Sequence, residues 1–116
     1  MTYDEFKKVV EFLDIKFIQV VVDVKTEYSK FQELDLFSEQ SDIFKEIEET
    51  LNVGPEDTGA IVFWLDPNND FKIEQYQDID IHEDVASDYL FGSNETKNWH
   101  INRIVLSYDA FIKLIS

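Results

Sequence analysis

The stretch GAIVFWLDPNNDFKIEQYQDIDI, residues 59–81, decides the fold. Its first part, Gly59 to Leu65, is apolar on both faces, the pattern of a strand covered above and below. Asp66-Pro67-Asn68-Asn69-Asp70 follows. Proline pre-sets φ, while Asp and Asn accept local hydrogen bonds and tolerate left-handed backbone, so the chain turns here. Phe71 to Ile81 then reads as a second strand, and two strands joined by a short polar turn make a hairpin. A hairpin in mid-chain argues against a repeating parallel strand–helix–strand array and for an α+β arrangement.

Working outward, KFIQVVVDV (residues 16–24) is dense in β-branched residues and reads as a strand, with Ile18, Val20, Val22 and Val24 on one face and Phe17, Gln19, Val21 and Asp23 on the other. WHINRIVLS (residues 99–107) reads as the last strand. Tyr3, Phe6, Val9, Val10 and Leu13 recur at helical spacing after Thr2 and Glu5, which form a capping box, so a helix over 3–13 is predicted. Ser41 is expected to cap a second helix, with Ile43, Phe44, Ile47 and Leu51 inward, Glu46, Glu48 and Glu49 outward, and Asn52 and Gly54-Pro55 as its end. EDVASDYL (residues 83–90), stopped by Gly92, reads as a third, and SYDAFIKLIS as the closing helix. Residues 25–40 fit no single pattern, because Tyr28, Phe31, Leu34 and Phe37 recur every three residues and drift around an α-helix.

The opening TYDEFKKVV and the closing SYDAFIKLI match at Thr2/Ser107, Tyr3/Tyr108, Asp4/Asp109, Phe6/Phe111 and Lys8/Lys113. A duplicated unit would extend its likeness well beyond one helix. The shared positions are those of a capped amphipathic helix, so the likeness is structural grammar used twice. The predicted whole is one α+β domain over residues 1–116, a mainly antiparallel sheet of about four strands packed by N-terminal, middle and C-terminal helices.

Charge is the loudest compositional feature: 25 acids against 10 bases give a net charge of −15. The acids cluster, with ten against two bases in residues 27–57 and nine against one in residues 66–95, while residues 58–65 carry none. Such a chain repels nucleic acid and anionic membrane and attracts cationic surfaces. The absence of Cys excludes disulfides, thiolate metal sites and a cysteine nucleophile. The acidic opening residues do not resemble a secretory leader, and the longest apolar run, near Phe17 to Val24, is far below the ~20 residues of a membrane span, so a cytoplasmic protein is expected.

Catalytic signatures are missing. Three Gly form no phosphate-cradling loop, and no Gly-x-Ser-x-Gly turn occurs. Residues 66–77 place Asp66, Asn68 and Asp70 like an EF-hand loop, but Phe71 stands where glycine is needed and Gln77 where a bidentate Glu is needed. In a strand Asp78, Asp80 and His82 project from one face, which could hold a divalent cation or serve acid–base chemistry; alternation with Ile79 and Ile81 equally fits a solvated strand face. The preferred expectation is therefore a non-enzymatic binding protein without a cofactor, monomeric or a weak homodimer, that occupies the basic cleft of a nuclease or other nucleic-acid enzyme, as a toxin-immunity protein or a phage DNA mimic would. Its candidate contact residues are Glu46, Glu48 and Glu49, then Asp66, Asp70, Tyr76, Asp78, Asp80 and His82, and finally Glu83, Asp84, Asp88 and Trp99. The alternatives are a metal-binding module or enzyme built on Asp78, Asp80 and His82, and a structural or regulatory domain whose acidity serves solubility only.

Overall fold

A computed structural model describes residues 2–53, 59–79 and 102–116. The chain runs through helix α1 (Tyr3–Leu13), strand β1 (Phe17–Asp23), helix α2 (Tyr28–Gln32), a 3-10 helix (Asp35–Gln40), helix α3 (Ser41–Leu51), strands β2 (Ala60–Asp66), β3 (Lys72–Ile79) and β4 (Arg103–Ser107), and helix α4 (Tyr108–Ile115). The four strands form one sheet in the order β3-β2-β1-β4. The β2–β3 and β1–β2 pairs are antiparallel and the β1–β4 pair is parallel. The α+β reading therefore holds, with one parallel pair. That pair forms because the two strands enter the sheet side by side: Lys16 N donates to Asn102 O (2.8 Å) and Asn102 Nδ2 to Leu13 O (3.2 Å).

The helices take one face of the sheet. Ile18, Val20 and Val22 of β1, Ile61, Phe63 and Leu65 of β2, and Ile73 of β3 face them in one buried cluster with Phe6, Val10, Phe44, Ile47 and Phe111. Phe31 sits at its centre, its ring centroid 4.5–6.3 Å from those of Phe37, Phe44, Phe63 and Phe111. Rings at such spacings add edge and offset contacts to the area they bury. On the other face of β2, Ala60, Val62 and Trp64 are also buried, as a central strand apolar on both sides requires. Beside them Gln19 is fully buried, and neither polar atom of its side chain has a hydrogen-bond partner among the described residues.

The three-residue recurrence over 28–40 finds its explanation here. It belongs to α2 followed by a 3-10 helix, in which side chains three apart eclipse one another. Phe31, Phe37 and Gln40 are all buried by it. Gln40 Oε1 then accepts from Ile73 N at 3.2 Å, beside the register shift at Trp64/Leu65, and so satisfies a backbone donor on β3.

Both caps of the paired helices form: Thr2 Oγ1 accepts from Glu5 N and Ser107 Oγ from Ala110 N, each at 3.2 Å. Two expectations need correction. Ser41 does not cap α3; the 3-10 helix runs directly into it, Ser41 is already helical, and Gln40 takes the cap position without a side-chain bond. Leu13 is not inward: it is 52% exposed, beside Phe12 at 87%, because α1 ends there in the left-handed Asp14 and turns into β1. The predicted helix over 83–90, the Gly54-Pro55 stop and residues 99–101 of the last strand lie outside the described residues.

Candidate functional site

The strand register sorts the polar residues by the two ends of the sheet. At one end lie the start of β1, the β2–β3 turn and the start of β4. At the opposite end lie the close of β1 at Asp23, the start of β2 at Ala60, the close of β3 at Ile79 and the close of β4 at Ser107, and Asp23 pairs with Ala60, which pairs in turn with Ile79.

The turn end is where cations meet acids of the same molecule. Lys16 Nζ reaches Asp14 Oδ1 at 2.8 Å, and Lys7 Nζ lies 4.0 Å from Asp70 Oδ1. Lys7 also stands 4.7 Å from the centroid of the Tyr3 ring. The Tyr3 hydroxyl is the main reason its ammonium is held above the usual lysine range, with Asp70 and Asp4 adding to it. Arg103 lies 5.7 Å from the centroid of the Trp64 ring. Asp66 accepts Asn68 N through Oδ1 at 2.8 Å, which is turn chemistry, and Asn68 Nδ2 bonds Ile15 O at 3.4 Å. Asp70 and Phe71 take φ of 49° and 58°, and the Phe71 ring is fully buried against Tyr3, Phe6 and Phe111. The EF-hand-like spacing of Asp66, Asn68 and Asp70 is thus absorbed by a hairpin turn.

The opposite end is acidic. Asp23 closes β1 there, and its Oδ1 accepts Lys25 N (2.9 Å) and Thr26 N (3.3 Å), while Glu27 Oε1 accepts Asp23 N (2.8 Å). These bonds fold residues 23–27 into a tight turn in which two carboxylates stand close together. Asp78 pairs with Ile61 and Tyr76 with Phe63, so both lie on the helix-covered face of β3, Asp78 exposed and Tyr76 half-buried against the core. Helix α3 begins beside the turn end, where Gln40 meets Ile73, and carries the chain back toward the start of β2. Its Glu46, Glu48 and Glu49 are exposed and, among the described residues, form no ion pair.

Tyr28 ties these groups together. It is buried, its hydroxyl has no hydrogen-bond partner among the described residues, and its pKa is pushed up by burial first, then by Glu48 and Tyr76. Glu48 on α3 and Tyr76 on β3 therefore both lie within electrostatic reach of one hydroxyl. Of the expected contact residues, the structure brings Glu48, Tyr76 and Asp78 to one side, while Asp66, paired with Lys72, stands roughly 20 Å and Asp70 roughly 26 Å from Asp78 along β3. Asp80, His82, Glu83, Asp84, Asp88 and Trp99 lie outside the described residues. Asp23 and Glu27 belong to the acidic end but were not among the expected residues, since only the β1–β2 and β2–β3 pairings bring Asp23 to the same end of the sheet as Asp78, on the opposite face.

Among the described residues no group of three His, Cys, Asp or Glu side chains could hold a metal ion. None of their helices is long and apolar enough to cross a membrane. The chain matches no protein-family model, no curated protein and no solved structure.

Proposed function

We propose that this protein binds a basic protein partner and acts as an inhibitor of it, covering the cationic, substrate-binding cleft of a nuclease or other nucleic-acid enzyme. A toxin-neutralising immunity protein and a phage-encoded DNA mimic are two forms of that activity. The observation that carries the reading is the polarity of the sheet. Asp23, Glu27, Glu48 and Asp78 lie toward one end, with Asp23 and Asp78 on opposite faces of the sheet, while Lys7 and Lys16 meet Asp70 and Asp14 at the other end. Carboxylates held on strands and helices present negative charge in fixed positions, as phosphates do, and opposite fields raise the association rate of such a pair.

Affinity capture on the immobilised protein at low salt, followed by elution at roughly 0.5 M salt, tests the reading, because exposed charge pairs are strongly screened there. The expected eluate contains a basic nucleic-acid enzyme whose activity falls when the protein is added back. A captured partner that stays bound through the salt step and keeps full activity contradicts the proposal.

A further inference from the structure

A cleft of about 320 Å³ opens at the acidic end of the sheet, lined by Val21, Ala60, Val105, Leu106 and Tyr108. Asp23 and Glu27 also line it. Pure apolar clefts and solvated carboxylates are each common; an apolar wall with two half-buried carboxylates at its rim is a more specific arrangement. Both carboxylates are fixed. One oxygen of Asp23 is held by Lys25 N and Thr26 N, and one of Glu27 by Asp23 N, leaving each a second oxygen for another donor. Tyr108 lies close enough to Glu27 to feel its charge, which, after burial, helps to hold the phenol above its ordinary pKa.

We infer that this cleft receives an arginine side chain of the basic partner, its aliphatic stem against Val21, Ala60 and Val105 and its guanidinium against Asp23 and Glu27. The inference rests on the proposed binding of a basic protein and names the group that this end of the sheet would capture. Arginine fits the site better than lysine. Its planar fork offers five donors to two adjacent carboxylates, it is more weakly hydrated, and its face can stack on the Tyr108 ring. An aromatic or arginine anchor seated in a pocket at an interface contributes far more than the charged rim around it. The volume leaves room for one such side chain together with backbone from the partner.

The test uses the full chain and a blocked tetra-arginine peptide at low salt, followed by amide and methyl NMR. The expected result is a saturable shift of Val21, Ala60, Val105 and Leu106 signals, weaker with tetra-lysine. Asp23→Asn with Glu27→Gln keeps the acceptor oxygens that hold the turn but removes both charges, and binding should weaken about tenfold, the loss of two modest charge-assisted contacts. Val105→Phe, on a half-buried strand position where an aromatic residue is well tolerated, should fill the cleft and abolish the same shifts. Shifts confined to α3, or shifts unchanged in both variants, overturn the cleft assignment while leaving the proposed function standing. Absence of any shift at millimolar peptide overturns both.

Discussion

The two ends of the sheet are built from similar elements and behave as opposites. At the turn end an aromatic cluster of Tyr3, Phe6, Phe71 and Phe111 fastens α1 and α4 to the hairpin, Asn68 and Asn102 clamp backbone carbonyls, and two lysines meet two aspartates. At the other end carboxylates stand close together with Lys25 and Lys30 following on the turn and helix, and neither lysine is ion-paired among the described residues. Like charges brought together destabilise a fold modestly, so an end arranged this way is a cost that packing elsewhere must offset. The difference teaches that, among the described residues, the contacts fastening one element to another concentrate at the turn end, while exposed and half-buried carboxylates collect toward the other.

The sharpest way to break that division is Phe71→Ala. The ring is fully buried at the turn end, in a residue with φ of 58°, so the substitution leaves a large void without relieving the backbone. A loss of about 3–5 kcal/mol in denaturant unfolding is expected; a loss under about 1 kcal/mol would show that the turn end does not anchor the fold. Gln19→Met comes next. It removes a fully buried amide without hydrogen-bond partners among the described residues from the middle of β1, and a gain of about 1–3 kcal/mol is expected, read as a shift of the midpoint at constant m-value. A loss would mean that the amide has a partner within the fold.

Thr2→Ala and Ser107→Ala form a matched pair, since each removes a side-chain cap of the same length, one beside the turn end and one at the acidic end. Each should cost about 1 kcal/mol of stability. A much smaller cost at Ser107 would show that α4 is weakly anchored where it meets the acidic end.

The smallest effect is confined to alkali. Tyr28 has a folded-state pKa above that of the unfolded chain, because burial, Glu48 and Tyr76 disfavour the phenolate. The neutral phenol is therefore favoured by folding below pH ~10, and stability falls as the pH rises above that value toward the folded pKa. Tyr28→Phe should lose this alkaline fall while matching or exceeding wild-type stability at neutral pH; an identical alkaline profile would remove Tyr28 as the cause.

The sequence discloses different parts of this division unequally. The hairpin over β2 and β3, the α1 stripe and the helical caps at Thr2 and Ser107 are written in local pattern, because turn chemistry and capping act over three or four residues. The three-residue repeat over 28–37 did not disclose its helix types, since Tyr28 and Phe31 belong to α2 and only Phe37 to the 3-10 helix, whose poorer hydrogen bonding is offset here by burial of Phe37 and Gln40. Phe71 in a left-handed turn position is illegible locally, because its ring packs against residues far away in the chain. For the site, the two acid-rich segments were plain, but their division was not. Asp66 and Asp70 go to the turn end and Asp78 to the other because β3 spans the distance between them, and Asp23 reaches the same end as Asp78, on the opposite face, only through two strand pairings.

The central claim is that the acidic end is a docking surface, and the most direct measurement is the salt dependence of affinity for the captured partner, compared between the wild-type chain and the Glu46→Gln, Glu48→Gln, Glu49→Gln variant. Folding stability should change by no more than about 0.5 kcal/mol, since these side chains are exposed. The account predicts that wild-type affinity falls steeply as salt rises and that the variant binds more weakly with a shallower dependence. Equal affinity and equal salt dependence in the two proteins would contradict it.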